Sequence, residues 1–116
     1  MEDTDAPLFE FDSAGARPSE EWTGFFGQVL DAGGGSVANV SVVVWYRDGT
    51  PASPVVQTDE TGYFEIRLAD APLAGIWSVQ LLTDDWRPAS KLFTFETDEN
   101  TDAGIQQLQV MWKQVP

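Results

Sequence analysis

Several residue spacings in this 116-residue chain invite a chemical reading. Asp98-x-Asn100-x-Asp102-x-Gly104 puts side-chain oxygens at alternate positions, as in a loop wrapped around a hard cation such as calcium. The helix–loop–helix form of such a site requires Gly at its sixth position and Glu at its twelfth, where Ala103 and Gln109 stand. A solvated hairpin turn uses the same Asp and Asn residues, and that plainer reading is preferred. The adjacent acids Asp84-Asp85 and Asp59-Glu60 would serve glycoside hydrolysis only as carboxyls facing each other about 5–9 Å apart across a cleft. Neighbours in a turn point apart, and a domain this small has little room for a cleft. The expectation is therefore that the chain is not an enzyme.

Five tryptophans offer a different chemistry, because an indole on a flat surface stacks on sugar rings. Trp77 and Trp112 fall in phase with core-facing neighbours, and Trp22 lies at a segment junction. Trp45 is in phase with Ser41 and Arg47 and is read as outward-facing, while Trp86 sits in a turn between Asp85 and Arg87. Trp45 and Trp86 are therefore the candidate glycan-stacking pair, with Tyr46 or Tyr63 as helpers. Core plugs and edge covers are the preferred reading of the tryptophans as a group. Asn39-Val40-Ser41 fits the N-glycosylation acceptor pattern, a motif short enough to arise by chance.

Other chemistries are excluded by composition. The chain has no Cys and no His, so it has no disulfide, no thiolate or imidazole metal site, no cysteine nucleophile and no Ser-His-Asp triad. No metal or other cofactor is expected. A net charge of −13 opposes binding to nucleic acid or anionic lipid through phosphates. No apolar window reaches the ~18 residues needed to span a membrane. The N-terminus lacks the basic residues and apolar run of a secretory signal peptide. The chain is then cytoplasmic, or Met1 begins a processed or recombinant form.

The elements that must position these residues follow a period of two from Thr23 onward. Apolar alternation marks six segments, near 23–30, 40–46, 63–68, 77–82, 92–96 and 107–113. Gly-, Asp- and Pro-rich turns separate them, and Pro51 and Pro54 reduce 51–57 to a weak edge strand or loop. No helical stripe is present. Short strands at this spacing predict an all-β, antiparallel β-sandwich of about seven strands, transthyretin-like or immunoglobulin-like.

Residues 1–21 stand apart from this body, taken as 22–116. They hold seven acids against Arg17 alone, which makes them an acidic, extended N-terminal arm. Within it, Leu8-Phe9-Glu10-Phe11-Asp12 alternates like a strand, and an exposed Phe pair needs a groove. That groove lies on the same molecule, which would make 8–12 an extra edge strand, or on a neighbouring subunit, which would make it a donor strand. The residues leave both open. Head-to-tail donation does not close on itself and builds a fibre.

The stretches Gly24–Asp31, Gly35–Val42, Thr58–Phe64 and Ala74–Gln80 resemble the strands and turns of carboxypeptidase-regulatory-like domains. They are similar too to collagen-adhesin B-type repeats, which share a transthyretin-like sandwich. Thr58-Asp59-Glu60-Thr61-Gly62-Tyr63-Phe64 is the most specific match. Val37 and Ala38 depart from the pattern's Pro and Gly. The first strand has no Lys for an isopeptide crosslink, since the only lysines are Lys91 and Lys113. The resemblance implies a non-catalytic extracellular or cell-surface module and transfers no active site. The leading expectation is a structural or adhesive module that associates with copies of itself, or with neighbouring domains of one assembly, through Leu8, Phe9 and Phe11. The alternatives are a carbohydrate-binding accessory module and a passive spacer.

Overall fold

The computed structural model describes residues 3–116, so the first two residues of the acidic arm lie outside the described residues. Eight strands form: β1 (Phe9–Arg17), β2 (Thr23–Leu30), β3 (Ser41–Tyr46), β4 (Val56–Gln57), β5 (Tyr63–Ala69), β6 (Gly75–Leu82), β7 (Phe93–Thr97) and β8 (Gln107–Gln114). They make two four-stranded sheets, ordered β1-β8-β2-β5 and β4-β3-β6-β7. The fold is thus an all-β sandwich. Alternation produces the core directly: Phe25 and Val29, Phe64 and Ile66, and Leu108, Val110 and Trp112 turn inward from the first sheet. They meet Val42, Val44, Trp77, Val79 and Leu81 from the second.

Two features go beyond the alternation. Every pairing is antiparallel except β2 with β8, which run parallel with Gly24 opposite Gln107 and Leu30 opposite Lys113. β8 therefore enters between the first two strands of the chain. Its backbone lies so close to β2 that a Cβ at Gly27 would overlap the Val110 carbonyl. The second feature is that β6 is buried on both faces. Gln80, on the face away from the core, accepts a hydrogen bond from Trp45 Nε1 (3.1 Å) and donates to the Ser90 carbonyl (3.2 Å). Trp45, expected to stand outward, is for that reason half-buried. The sheet face that alternation alone leaves to solvent is closed by its own side chains.

Four hairpin turns share one hydrogen-bond pattern. The first residue's N–H bonds the carbonyl four positions on, and the fourth residue's N–H returns to the first carbonyl. They begin at Asp31, Tyr46, Asp59 and Thr83. This is a tight turn followed by one left-handed residue, which lets two strands reverse with their natural twist. In the Asp59 turn the carboxylate accepts from the Thr61 hydroxyl (2.6 Å), the Thr61 amide (2.8 Å) and the Tyr63 amide (3.1 Å).

Two predictions follow from this geometry. Gly27→Ala drives a methyl into backbone and is expected to destabilise by about 2–3 kcal/mol or more. Gly15→Ala meets nothing within 4 Å and should stay within about 0.5 kcal/mol of the parent; urea unfolding followed by circular dichroism measures both. The second concerns acid. The Thr61 hydroxyl, then the Thr61 and Tyr63 amides, hold the folded Asp59 carboxyl below its ordinary value of 3.8. Its stabilisation is complete above that value and is lost as pH falls through the lower folded value. Asp59→Asn should therefore flatten the decline of stability as pH falls below 3.8, measured by urea unfolding across acid pH.

Candidate functional site

β1 is the edge strand of its sheet, paired along its length with β8. Among the described residues, side chains hold it only at its two ends. At the first end Phe9 is buried at 8% exposure, and Phe11, at 37%, stacks on Phe93 with ring centroids 4.3 Å apart. Phe93 in turn meets the edge of Trp112 at 5.1 Å. This aromatic seam ties β1, the edge of one sheet, to β7, the edge of the other. Leu8 and Phe9 amides both donate to the Ala89 carbonyl (2.8 and 3.0 Å), and Leu92 N donates to Asp3 Oδ1 (3.3 Å). Trp112 Nε1 lies buried under the seam with no acceptor among the described residues, an arrangement that costs about 1–3 kcal/mol.

At the second end two adjacent glutamines clasp the chain. Gln106 Oε1 accepts from the Ser19 amide (2.7 Å), and its Nε2 donates to the Asp98 carbonyl (2.8 Å), Asp98 Oδ1 (3.1 Å) and the Asn100 carbonyl (3.1 Å). Gln107 Oε1 accepts from Arg17 Nε at 2.6 Å, and its Nε2 reaches the Trp22 carbonyl at 3.4 Å. Arg17 then lies over Phe26, Phe26 meets the edge of Trp22, and Arg67 covers Trp22 (4.5, 6.2 and 4.9 Å). Between the two ends, among the described residues, β1 is held by main chain alone. Ala14 and Ala16 lie opposite Val110 and Leu108 but remain exposed, and the pairing register shifts between Phe11 and Ser13.

The other candidates are dispersed. In the ladder Trp45 pairs with Ser78 and Ser41 with Leu82, so Trp45 is four ladder positions, roughly 13 Å, from the end where Trp86 stands. Trp45 and Trp86 do not share a platform. Tyr46 packs on Trp77 (5.5 Å), and Tyr63 bonds Glu65 on the opposite sheet. Trp86 is 65% exposed and occupies the left-handed position of its turn at φ 66°. A non-glycine residue there costs about 1–2 kcal/mol. Asn39 is exposed, also left-handed at φ 63°.

In the calcium-like loop, Asp98 Oδ1 accepts from the Asn100 and Ile105 amides as well as Gln106, and Asn100 Oδ1 accepts from the Asp102 and Ala103 amides. Those oxygens face backbone N–H groups rather than one another. Among the described residues no three acidic, His or Cys side chains converge on a point. The Gln106–Gln107 clasp was missed by sequence reading. Its one signal was a pair of glutamines at the start of the last strand, where alternation leaves one of them facing inward.

No protein-family model matches the chain, and no curated protein is significantly similar to it. Its fold does occur among solved structures. It is similar to 5-hydroxyisourate hydrolase of Klebsiella pneumoniae, with 17% identity, a TM-score of 0.50, and coverage of 81% of this chain and 92% of that one. It is similar also to BcpA, the major pilin subunit of Bacillus cereus, with 13% identity, a TM-score of 0.52, and coverage of 86% of this chain; it spans 29% of that pilin subunit. At these identities the likeness establishes the transthyretin-like β-sandwich fold. It also corrects one expectation. The expectation that the chain is not an enzyme, argued from the little room a sandwich this small leaves for a cleft, does not stand, because an enzyme is built on the same fold over almost its whole length.

The two anchors of β1 should be unequal. Phe9→Ala empties a core position and is expected to cost about 3–5 kcal/mol. Phe11→Ala removes a half-exposed ring stack and is expected to cost about 1 kcal/mol. Thermal and urea unfolding of the two variants measures the difference.

Proposed function

We propose that this chain is a structural β-sandwich module of a surface assembly, joined to copies of itself or to neighbouring domains by exchange of strand β1. The observation that carries the reading is the way β1 is held. A nine-residue edge strand makes a full ladder with β8 but is fixed by side chains only through Phe9 and Phe11 at one end and the Gln106–Gln107 clasp at the other. Its hydrogen bonds are main-chain bonds, identical whether β8 belongs to the same copy or another. Exchange therefore keeps the β1–β8 ladder, and the short 18–22 connector, with the Ser19–Gln106 and Trp22–Gln107 bonds, is the hinge that opens. Leu8, Phe9 and Phe11 would anchor the donated strand. The fold shared with a pilin subunit fits a structural role at the cell surface. The Thr58–Phe64 match fits membership of the carboxypeptidase-regulatory-like and collagen-adhesin B-type group.

The chain has no cysteine, which makes a clean test available. Gly15 and Gln109 are register partners on β1 and β8, and both are exposed. Chains carrying Gly15→Cys alone and Gln109→Cys alone are mixed, incubated and oxidised. Exchange predicts a heterodisulfide that accumulates with incubation, far above an Ala103→Cys control mixed with Gln109→Cys. The double variant, oxidised as a monomer, should lock the strand and stop assembly. Crosslinking no faster than the control would sink the proposal.

A further inference from the structure

The outward face of the sheet β1-β8-β2-β5 carries two adjacent ladder rows, Gly15–Gln109–Phe26–Glu65 and Arg17–Gln107–Gly24–Arg67. A recess of about 130 Å3 opens at their β1 end, lined by Gly15, Ala16, Arg17, Phe26, Gln107 and Gln109. Arg17 is exposed yet fixed: its Nε donates to Gln107 Oε1 at 2.6 Å, and its guanidinium lies 4.5 Å over the Phe26 ring. Those contacts leave the N–H groups of both Nη atoms unspent. Among the described residues Arg17 has no carboxylate partner, although the chain holds 19 acids against 6 bases. Gln109, exposed beside it, has no hydrogen-bond partner for its amide among the described residues. The space stays open because β1 offers Gly15 here, where a Cβ would meet nothing within 4 Å. The two rows hold two guanidiniums, Arg17 and Arg67, and one carboxylate, Glu65, already paired with Arg67 at 3.2 Å. In a chain of net charge −13 this is a locally positive patch.

We propose that this recess is a binding site for a small hydroxy-carboxylate of the sugar-acid type, its carboxylate on Arg17. A guanidinium fork matches the two oxygens of a carboxylate, and a fork already held by Gln107 and Phe26 loses little further freedom on binding. Gln109 has a donor and an acceptor to give, the complement of a hydroxyl. Phe26 offers apolar surface to ring C–H groups. Phosphate is the poorer guest. One fork neutralises one charge, and the field of an acidic chain opposes a dianion about twice as strongly as a monoanion. The recess is small and open, so binding is weak and salt-sensitive. A ligand there touches β1, β8 and β2 together and ties the edge strand to its sheet. The site does not rest on strand exchange, since its lining is the same whether β1 comes from one copy or another.

The test is isothermal titration calorimetry of the full chain at low salt with sodium glucuronate, glucose and inorganic phosphate. Glucuronate should bind saturably, at least about tenfold tighter than glucose or phosphate, and more weakly as salt is added. Arg17→Lys keeps the charge but loses the fork, and should cost about tenfold in affinity. Gly15→Val grows a side chain at the recess without removing a contact, so it should abolish binding while urea unfolding shows the fold intact. Arg47→Gln changes an exposed arginine on the other sheet and should bind like the parent. The proposal is overturned if glucuronate shows no saturable binding up to about 100 mM. It is overturned equally if Gly15→Val binds like the parent, or if Arg17→Lys loses stability but not affinity. Glucose or phosphate binding as tightly as glucuronate overturns it too, since the carboxylate is then not what the site reads.

Discussion

The sheet that carries the N-terminal strand depends on one constraint: β8 must find a partner on each side. Its partners are the first two strands of the chain, β1 running antiparallel and β2 parallel. Neither contact is local. Residues 9–17 meet 107–114, and 24–30 meet 107–113, so both ladders wait for the last strand to arrive. Folds dominated by such long-range pairing form slowly, because the entropy of closing a long loop comes before the contacts that offset it. The close approach of β8 to β2 at Gly27 then fixes the register, since a side chain there has no space. Once β8 is seated, Trp112 lies in the core and the Phe11–Phe93–Trp112 seam can join the two sheets at their edges.

Under the proposed assembly, that dependence favours exchange of β1 over addition beside it. The outer edge of β1 is blunted: its pairing shifts at Asp12, and Glu10 and Asp12 put negative charge along it. A bulged, charged edge repels another strand, as native edges commonly do. The inner edge is different. There β8 presents a full ladder together with the pockets of Phe9 and Phe11, and Lys113 stands opposite Glu10. A strand that replaces β1 inherits all of this, whereas a strand that joins β1 inherits none of it. The acidity of the arm thus fits the proposed exchange, discouraging indiscriminate pairing while leaving one well-defined place to dock.

The alternation of Phe25, Val29, Phe64, Ile66, Val79, Leu81, Leu108 and Val110 was readable because a core face and a polar face impose a period of two. The hairpin turns were readable because Asp and Gly have local reasons to be there. The parallel β2–β8 contact was not, because strand pairing between distant segments leaves no local trace. Alternation put Trp45 on the face away from the core, but it assigns a face without saying what covers it, and Gln80 covers this one. The Gln106–Gln107 clasp was invisible for a related reason. A buried glutamine is recognised by its partners, and those partners, Ser19, Trp22, Asp98 and Asn100, come from two remote segments.

A hydrolase and a pilin subunit share this fold, so the sandwich by itself does not decide between chemistry and construction. What decides is where a chain breaks the rules its scaffold otherwise obeys. Here the local rules are obeyed with unusual consistency: four turns use one hydrogen-bond pattern, and core positions of both sheets are filled by alternation. The departures are few, and they are not confined to one end of the molecule. Asn39 and Trp86 hold left-handed backbone, Leu8, Tyr46 and Trp86 leave apolar surface in water, and Trp112 Nε1 is buried with no acceptor among the described residues. Each is a small cost to the isolated chain, and sequences that fold well avoid such costs unless something recovers them. Those departures, rather than the sandwich itself, are where a functional reading of this chain has to start.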